Sequence, residues 1–97
     1  MAEPIAVVAR ITAHPGQGDA VRAALRELIA PTLQEAGCER YELHVDPQHA
    51  DTFLFIERWR DEQALDAHGR TPHLQRFAER MPELGALSVE RWAPFTP

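Results

Sequence analysis

The side chains of this protein with most to offer chemically are Tyr41, Phe55, Glu57, Trp59, His68 and His73. Glu57 alternates with Phe53, Phe55 and Trp59 along a run of strand character, so its carboxyl shares a face with large apolar groups. A carboxylate there is costly to keep charged. Its pKa rises into the range of a useful base unless an arginine or His68 pairs with it. His68 falls on the inner stripe of a helical pattern, directly before Gly69. The negative end of the helix favours its cation and an apolar pocket favours the neutral ring, a balance that suits a general acid or base. The competing role is to bond a backbone carbonyl and seal the helix end. His73 stands second after a Thr71-Pro72 helix start, where the positive helix end keeps an imidazole neutral and able to accept from a ligand hydroxyl. The two histidines are five positions apart across a break. That is not the i, i+4 spacing that aims two imidazoles at one ion, so no metal site is expected. Tyr41 and Trp59 are either core residues or flat walls for an aromatic ligand.

These residues need a scaffold, and the periodicity supplies one. Residues 5–13 are a β-branched run of strand length, stopped by His14-Pro15-Gly16-Gln17-Gly18. Asp19 is then placed to cap a helix with Val21, Leu25, Leu28, Ile29 and Leu33 on one face, and Pro31 predicts a kink or break before Gly37 closes the segment. Tyr41, Leu43 and Val45 alternate with polar neighbours, as in a strand with one buried face. After a loop at 46–51, residues 53–59 carry large apolar groups on both faces, as expected of a central strand covered on both sides. Asp61 caps a helix through His68; Gly69 interrupts it; Thr71 and Pro72 start a second piece with Leu74, Phe77, Ala78 and Met81 inside, ended by Pro82 and Gly85. Residues 87–95 read as the last strand, holding Val89 and Trp92.

The order is a ferredoxin-like βαββαβ arrangement: an α+β domain with one antiparallel sheet and the helices on one face. Val8, Leu54 and Ile56 lie on the other face, so sheet-to-sheet homodimerisation is expected to cover them. The 97 residues form one domain, too small for a separate cofactor domain. A formal charge of -5 disfavours nucleic acid and anionic membrane as partners. Apolar runs are too short to span a bilayer and no leader pattern opens the chain, so a cytoplasmic protein is expected. The single cysteine, Cys38, has no evident base beside it; it is read as packing and fits a reducing compartment.

The run Glu57 to His68, followed by Thr71-Pro72-His73, is similar to a pattern E-x-W-x-(D/S)-x-x-A-L-x-x-H and then T/S-P-H. Glu35-Ala36-Gly37-Cys38 before Tyr41 resembles an E-x-G-C-x-x-Y element, and Pro15-Gly16 a first turn. These marks resemble the antibiotic biosynthesis monooxygenase family across nearly the whole chain, nearest to its quinol-oxidising and isomerase branches. The resemblance implies a dimeric α+β barrel with a pocket in each subunit between helices and sheet. Phe55 replaces the asparagine of the anthrone oxygenases, and His68 the tryptophan of the haem-degrading branch. Three functions stay open. The first is a monooxygenase with no metal, flavin or haem, in which His68 or Glu57 deprotonates a phenol or hydroquinone held by Trp59 and Phe55 and O2 is the co-substrate. The second is an isomerase of a small phosphosugar-like ligand using the same His68 and Glu57. The third is a dimer that binds small molecules, or acts in stress, without turnover.

Overall fold

A computed structural model describes residues 3–95. Its elements run β1 (Ile5–Ala13), α1 (Gly18–Leu33), β2 (Cys38–Val45), β3 (Thr52–Trp59), α2 (Glu62–Gly69), α3 (Pro72–Leu84) and β4 (Gly85–Trp92). The four strands form one antiparallel sheet in the order β2-β3-β1-β4. This is the expected βαββαβ fold, with the second helical segment in two pieces.

The alternation of β1 decides which face meets the helices. Its odd-numbered residues Val7, Ala9, Ile11 and Ala13 are buried, and so are Phe53, Phe55, Glu57 and Trp59 of β3. Val21, Ala24, Leu25 and Leu28 of α1 and Phe77, Met81 and Leu84 of α3 close over them to complete the core. Among the described residues the opposite sheet face carries no helix; Val8, Leu54 and Ile56 remain half-buried on it and Trp92 is exposed. Among the described residues no helix is long and apolar enough to cross a membrane.

Several expectations need correction. Asp19 does not cap α1: Gln17 occupies the N-cap without a side-chain bond, and Asp19 lies in the first turn, where its charge still meets the positive helix end. Pro31 does not break the helix, which runs on to Leu33. The helix runs on past the proline for only two residues without its N–H donor, and Pro82 is carried in the same way two residues before the end of α3. Leu33 of the expected inner stripe is exposed and Thr32 is buried in its stead. Val45 and Ala78 are also exposed. The last strand begins at Gly85, directly after α3, and ends at Trp92. A Cβ at position 85 would collide with the Thr12 carbonyl, so only glycine lets the chain turn from helix into strand so close to β1.

Candidate active site

The sheet lays functional side chains in rows across its helix-facing side. Tyr41 pairs with Glu57, Glu57 with Val7 and Val7 with Arg91; one row on, Leu43, Phe55, Ala9 and Val89 are aligned in the same way. A register shift between Cys38 and Arg40 leaves Glu39 as an extra residue in β2, and by this bulge Cys38 opposite Trp59 and Tyr41 opposite Glu57 come to the same face. Tyr41, Glu57 and Val7 of the first row and Phe55 and Ala9 of the second form the floor of a cavity of about 440 Å³, within the range of small-molecule sites. Leu65, His68, Leu74 and Phe77 line its helical side, and Leu87 and Val89 its open side at the sheet edge. Arg70 and Arg91 lie at the mouth, the latter 3.7 Å from Glu62 and 4.0 Å from Asp66.

The break between α2 and α3 is built by its caps. Asp61 Oδ1 accepts from the Ala64 N–H at 2.8 Å to start α2. Thr71 Oγ1 accepts from the Leu74 N–H at 3.3 Å to start α3, and donates to the His68 carbonyl at 2.8 Å. Thr71 and the backbone N–H groups of Arg70 and Thr71 therefore satisfy the end of α2. His68 is not needed as a seal, and its ring is free to turn to the site.

That ring is 4% exposed and packs 4.5 Å from the Trp59 ring and 5.7 Å from that of Tyr41, centre to centre. Its Nδ1 lies 2.8 Å from Glu35 Oε2, and His73 Nε2 lies 2.7 Å from the same oxygen. Burial pushes the His68 pKa down, and the hydrogen bond and charge of Glu35 oppose that shift. Glu35 reaches the ring because Gly37 takes a φ of +85° and lies against α2, where a Cβ would meet that of Ala64 at 2.5 Å.

Glu57 is buried, and Oε1 accepts from Trp59 Nε1 at 2.9 Å. No basic side chain pairs with it among the described residues, so the expected alternative of an ion pair with arginine or His68 does not hold. Burial pushes its pKa up to about 7, with the Trp59 hydrogen bond pulling the other way. Burial, and then the charge of Glu57, push the Tyr41 phenol well above its ordinary pKa. Tyr41 stacks on Phe55 at 4.3 Å and stays a neutral wall. Burial also raises the Cys38 thiol, as suits the packing role.

Of the expected site residues, Tyr41, Phe55, Glu57 and His68 line the cavity. Trp59 is fully buried and not on the cavity wall; it touches the site by its hydrogen bond to Glu57 and its ring contact with His68. His73 is not on the cavity wall; it borders a second, smaller pocket with Pro31, Arg76 and Arg80. Sequence reasoning misses Glu35 as a site residue, although the Glu35-Ala36-Gly37-Cys38 element carries it. Glu35, His68 and His73 offer three ligand atoms within 4.8 Å of one another, a grouping that the spacing of the histidines alone does not reveal. Two ligands on one tetrahedral zinc sit about 3.3 Å apart. The N···O separations of 2.7 and 2.8 Å are hydrogen-bond lengths, so the cluster as built is a ring–carboxylate–ring network.

The family model for antibiotic biosynthesis monooxygenase matches residues 4–80. The chain belongs to this family. A structure of PA3566 from Pseudomonas aeruginosa superposes with a TM-score of 0.94 at 37% identity, covering 99% of this chain and 98% of that one. The probable quinol monooxygenase YgiN of Escherichia coli is 31% identical over 85 residues, 77% of this chain and 82% of its own. The uncharacterized protein sll1783 of Synechocystis is 35% identical over 88 residues, 91% of this chain, but the match spans only 60% of that relative's length. The family segment takes in every residue of the cavity floor contributed by β1, β2 and β3, together with His68 on α2 and His73 in the first turn of α3. All of β4, with Leu87 and Val89, lies beyond it.

Proposed function

We propose that this member of the antibiotic biosynthesis monooxygenase family oxidises a small phenolic or hydroquinone-type ring with O2, using neither metal nor flavin nor haem. The observation that carries the reading is that two proton acceptors face one apolar, aromatic-walled cavity: Glu57, whose Oε2 has no protein partner among the described residues, and His68, whose Nε2 has none. The base removes a phenolic proton, and the ring anion becomes electron-rich enough to pass electrons to O2. For a hydroquinone the balance closes without another reductant: one oxygen atom enters the ring, which leaves as a hydroxyquinone, and the other leaves as water. Stacking on Tyr41 and Phe55 holds the ring while the dry cavity protects the intermediates.

An oxygen electrode and a panel of hydroquinones test this on chelator-treated protein. The expected result is oxygen uptake with one labelled atom from 18O2 in the product. Uptake that appears only with added iron or flavin, or none with any ring, rejects the reading, and conversion of a phosphosugar without oxygen supports an isomerase instead.

The working unit is proposed to be a homodimer formed by the uncovered sheet faces. Half-buried Val8, Leu54 and Ile56 and the Trp92 side chain, 59% exposed, give that face an apolar centre that a second copy would bury. Light scattering should give twice the 11.0 kDa chain mass, and Leu54→Glu should shift it to monomer. A wild type that stays monomeric at micromolar concentration refutes the assembly.

A further inference from the structure

We infer that Glu35 is the positioning residue of His68, and that His73 clamps Glu35 from the far side rather than contacting substrate. This rests on the reading of His68 as the base. The geometry is unusual for three groups that meet by chance. One carboxylate oxygen lies within 2.8 Å of two imidazole nitrogens, and it comes from a separate segment, between α1 and β2. An ionised carboxylate has no proton to give, so both nitrogens must donate to it. His68 is thereby held with its proton on Nδ1 and the lone pair of Nε2 directed to the cavity, the tautomer a general base requires. When His68 takes the substrate's proton on Nε2, the imidazolium gains the Glu35 charge at 2.8 Å.

His73 completes the arrangement. Its ring centroid is 6.2 Å from that of His68, with the Glu35 oxygen bonded to both rings, and it opens on the second pocket. A carboxylate held by only one imidazole could swing towards solvent. With two donors it is fixed, and so is the ring it orients. The charged and titratable groups facing the unit include Cys38, Tyr41 and Glu57 on the His68 side, and Glu27, Arg76 and Arg80 around His73.

Nitrogen NMR of 15N-histidine-labelled protein reads the tautomer directly, without any substrate. Wild-type His68, when neutral, should carry its proton on Nδ1. Glu35→Ala should move that proton to Nε2 or mix the two forms, and Glu35→Gln, which keeps the shape but not the charge, should lower the His68 titration midpoint. His73→Ala should give a weaker version of the Glu35→Ala spectrum. With an active substrate, Glu35→Gln should lower kcat at least about tenfold with little change in KM. A wild-type His68 protonated on Nε2, or a tautomer and midpoint indifferent to Glu35→Ala and Glu35→Gln, overturns the inference. A tautomer that follows Glu35 while His68→Asn keeps full turnover upholds the positioning and removes the base from the proposed function.

Discussion

His68→Ala should slow turnover of a responsive hydroquinone by a factor on the order of 10² to 10⁴, the usual range for removing a general base. The reasoning is geometric. His68 is buried against Trp59 and Tyr41, lines the cavity, and has its Nδ1 2.8 Å from the Glu35 carboxylate, which leaves Nε2 without a protein partner among the described residues. The structural cost should be separable. Truncation removes one charge-assisted hydrogen bond and leaves a small void, about 2 kcal/mol together, while Glu35 keeps its bond to His73. His68→Asn refills part of the space without supplying a base. Both variants should therefore lose the rate, and the alanine should lose more melting temperature. Should His68→Asn instead retain wild-type kcat, proton removal belongs to Glu57 and His68 is a packing residue.

Glu57→Gln should stabilise the protein at neutral pH. In the folded state burial holds the Glu57 pKa up at about 7, against an ordinary value of 4.5. Between those two values the unfolded chain has released the proton and the folded chain has kept it, so stability falls as pH rises across the window and is flat beyond it. At 1.36 kcal/mol for each pH unit the loss amounts to about 3 kcal/mol. His68 works in the opposite sense, because its lowered pKa makes stability fall as pH drops below about 6.5. The difference between wild type and Glu57→Gln isolates the carboxyl: the melting curves should nearly coincide at pH 4 and separate by pH 8, with the glutamine variant higher. A glutamine amide is not a proton acceptor at these pH values, so any activity that depends on Glu57 should fall while stability rises. Parallel curves at all pH values would mean that Glu57 titrates normally and is not kept neutral by its surroundings.

Local patterns in the sequence carried much of the architecture. The strand alternation of β1 and β3, the helical stripe of α1 from Val21 to Leu28, and the Asp61 and Thr71 caps each depend on residues a few positions apart, and each stands as read. Signals that depend on distance from an element's end are less legible. Pro31 reads as a kink or break and Pro82 as an end, yet each helix runs two residues past its proline. Asp19 looks like a cap, but Gln17 precedes it because the turn at Gly16 has already set the backbone. Glu39 is extra only relative to β3, a fact of pairing that β2 alone does not contain. The site was legible in kind but not in connection. His68, Glu57, Tyr41 and Phe55 were found by face and composition. The tie from His68 to Glu35 crosses 33 positions, and that from His73 crosses 38. Nothing in the periodicity of either segment encodes those pairings.

The two sides of the cavity differ in what holds them. On one side Glu57, Trp59, His68 and Glu35 are bound to one another by hydrogen bonds and ring contacts, so a change in any of them disturbs the rest. On the other, Leu87 and Val89 are 45% and 54% exposed on an edge strand. Their side chains can be exchanged for larger or smaller ones at little cost to folding. Such exchanges would alter which molecules fit while leaving Glu57 and His68 undisturbed. Selection can therefore retune the clientele of this fold from the β4 edge inward, one residue at a time, without rebuilding its chemistry.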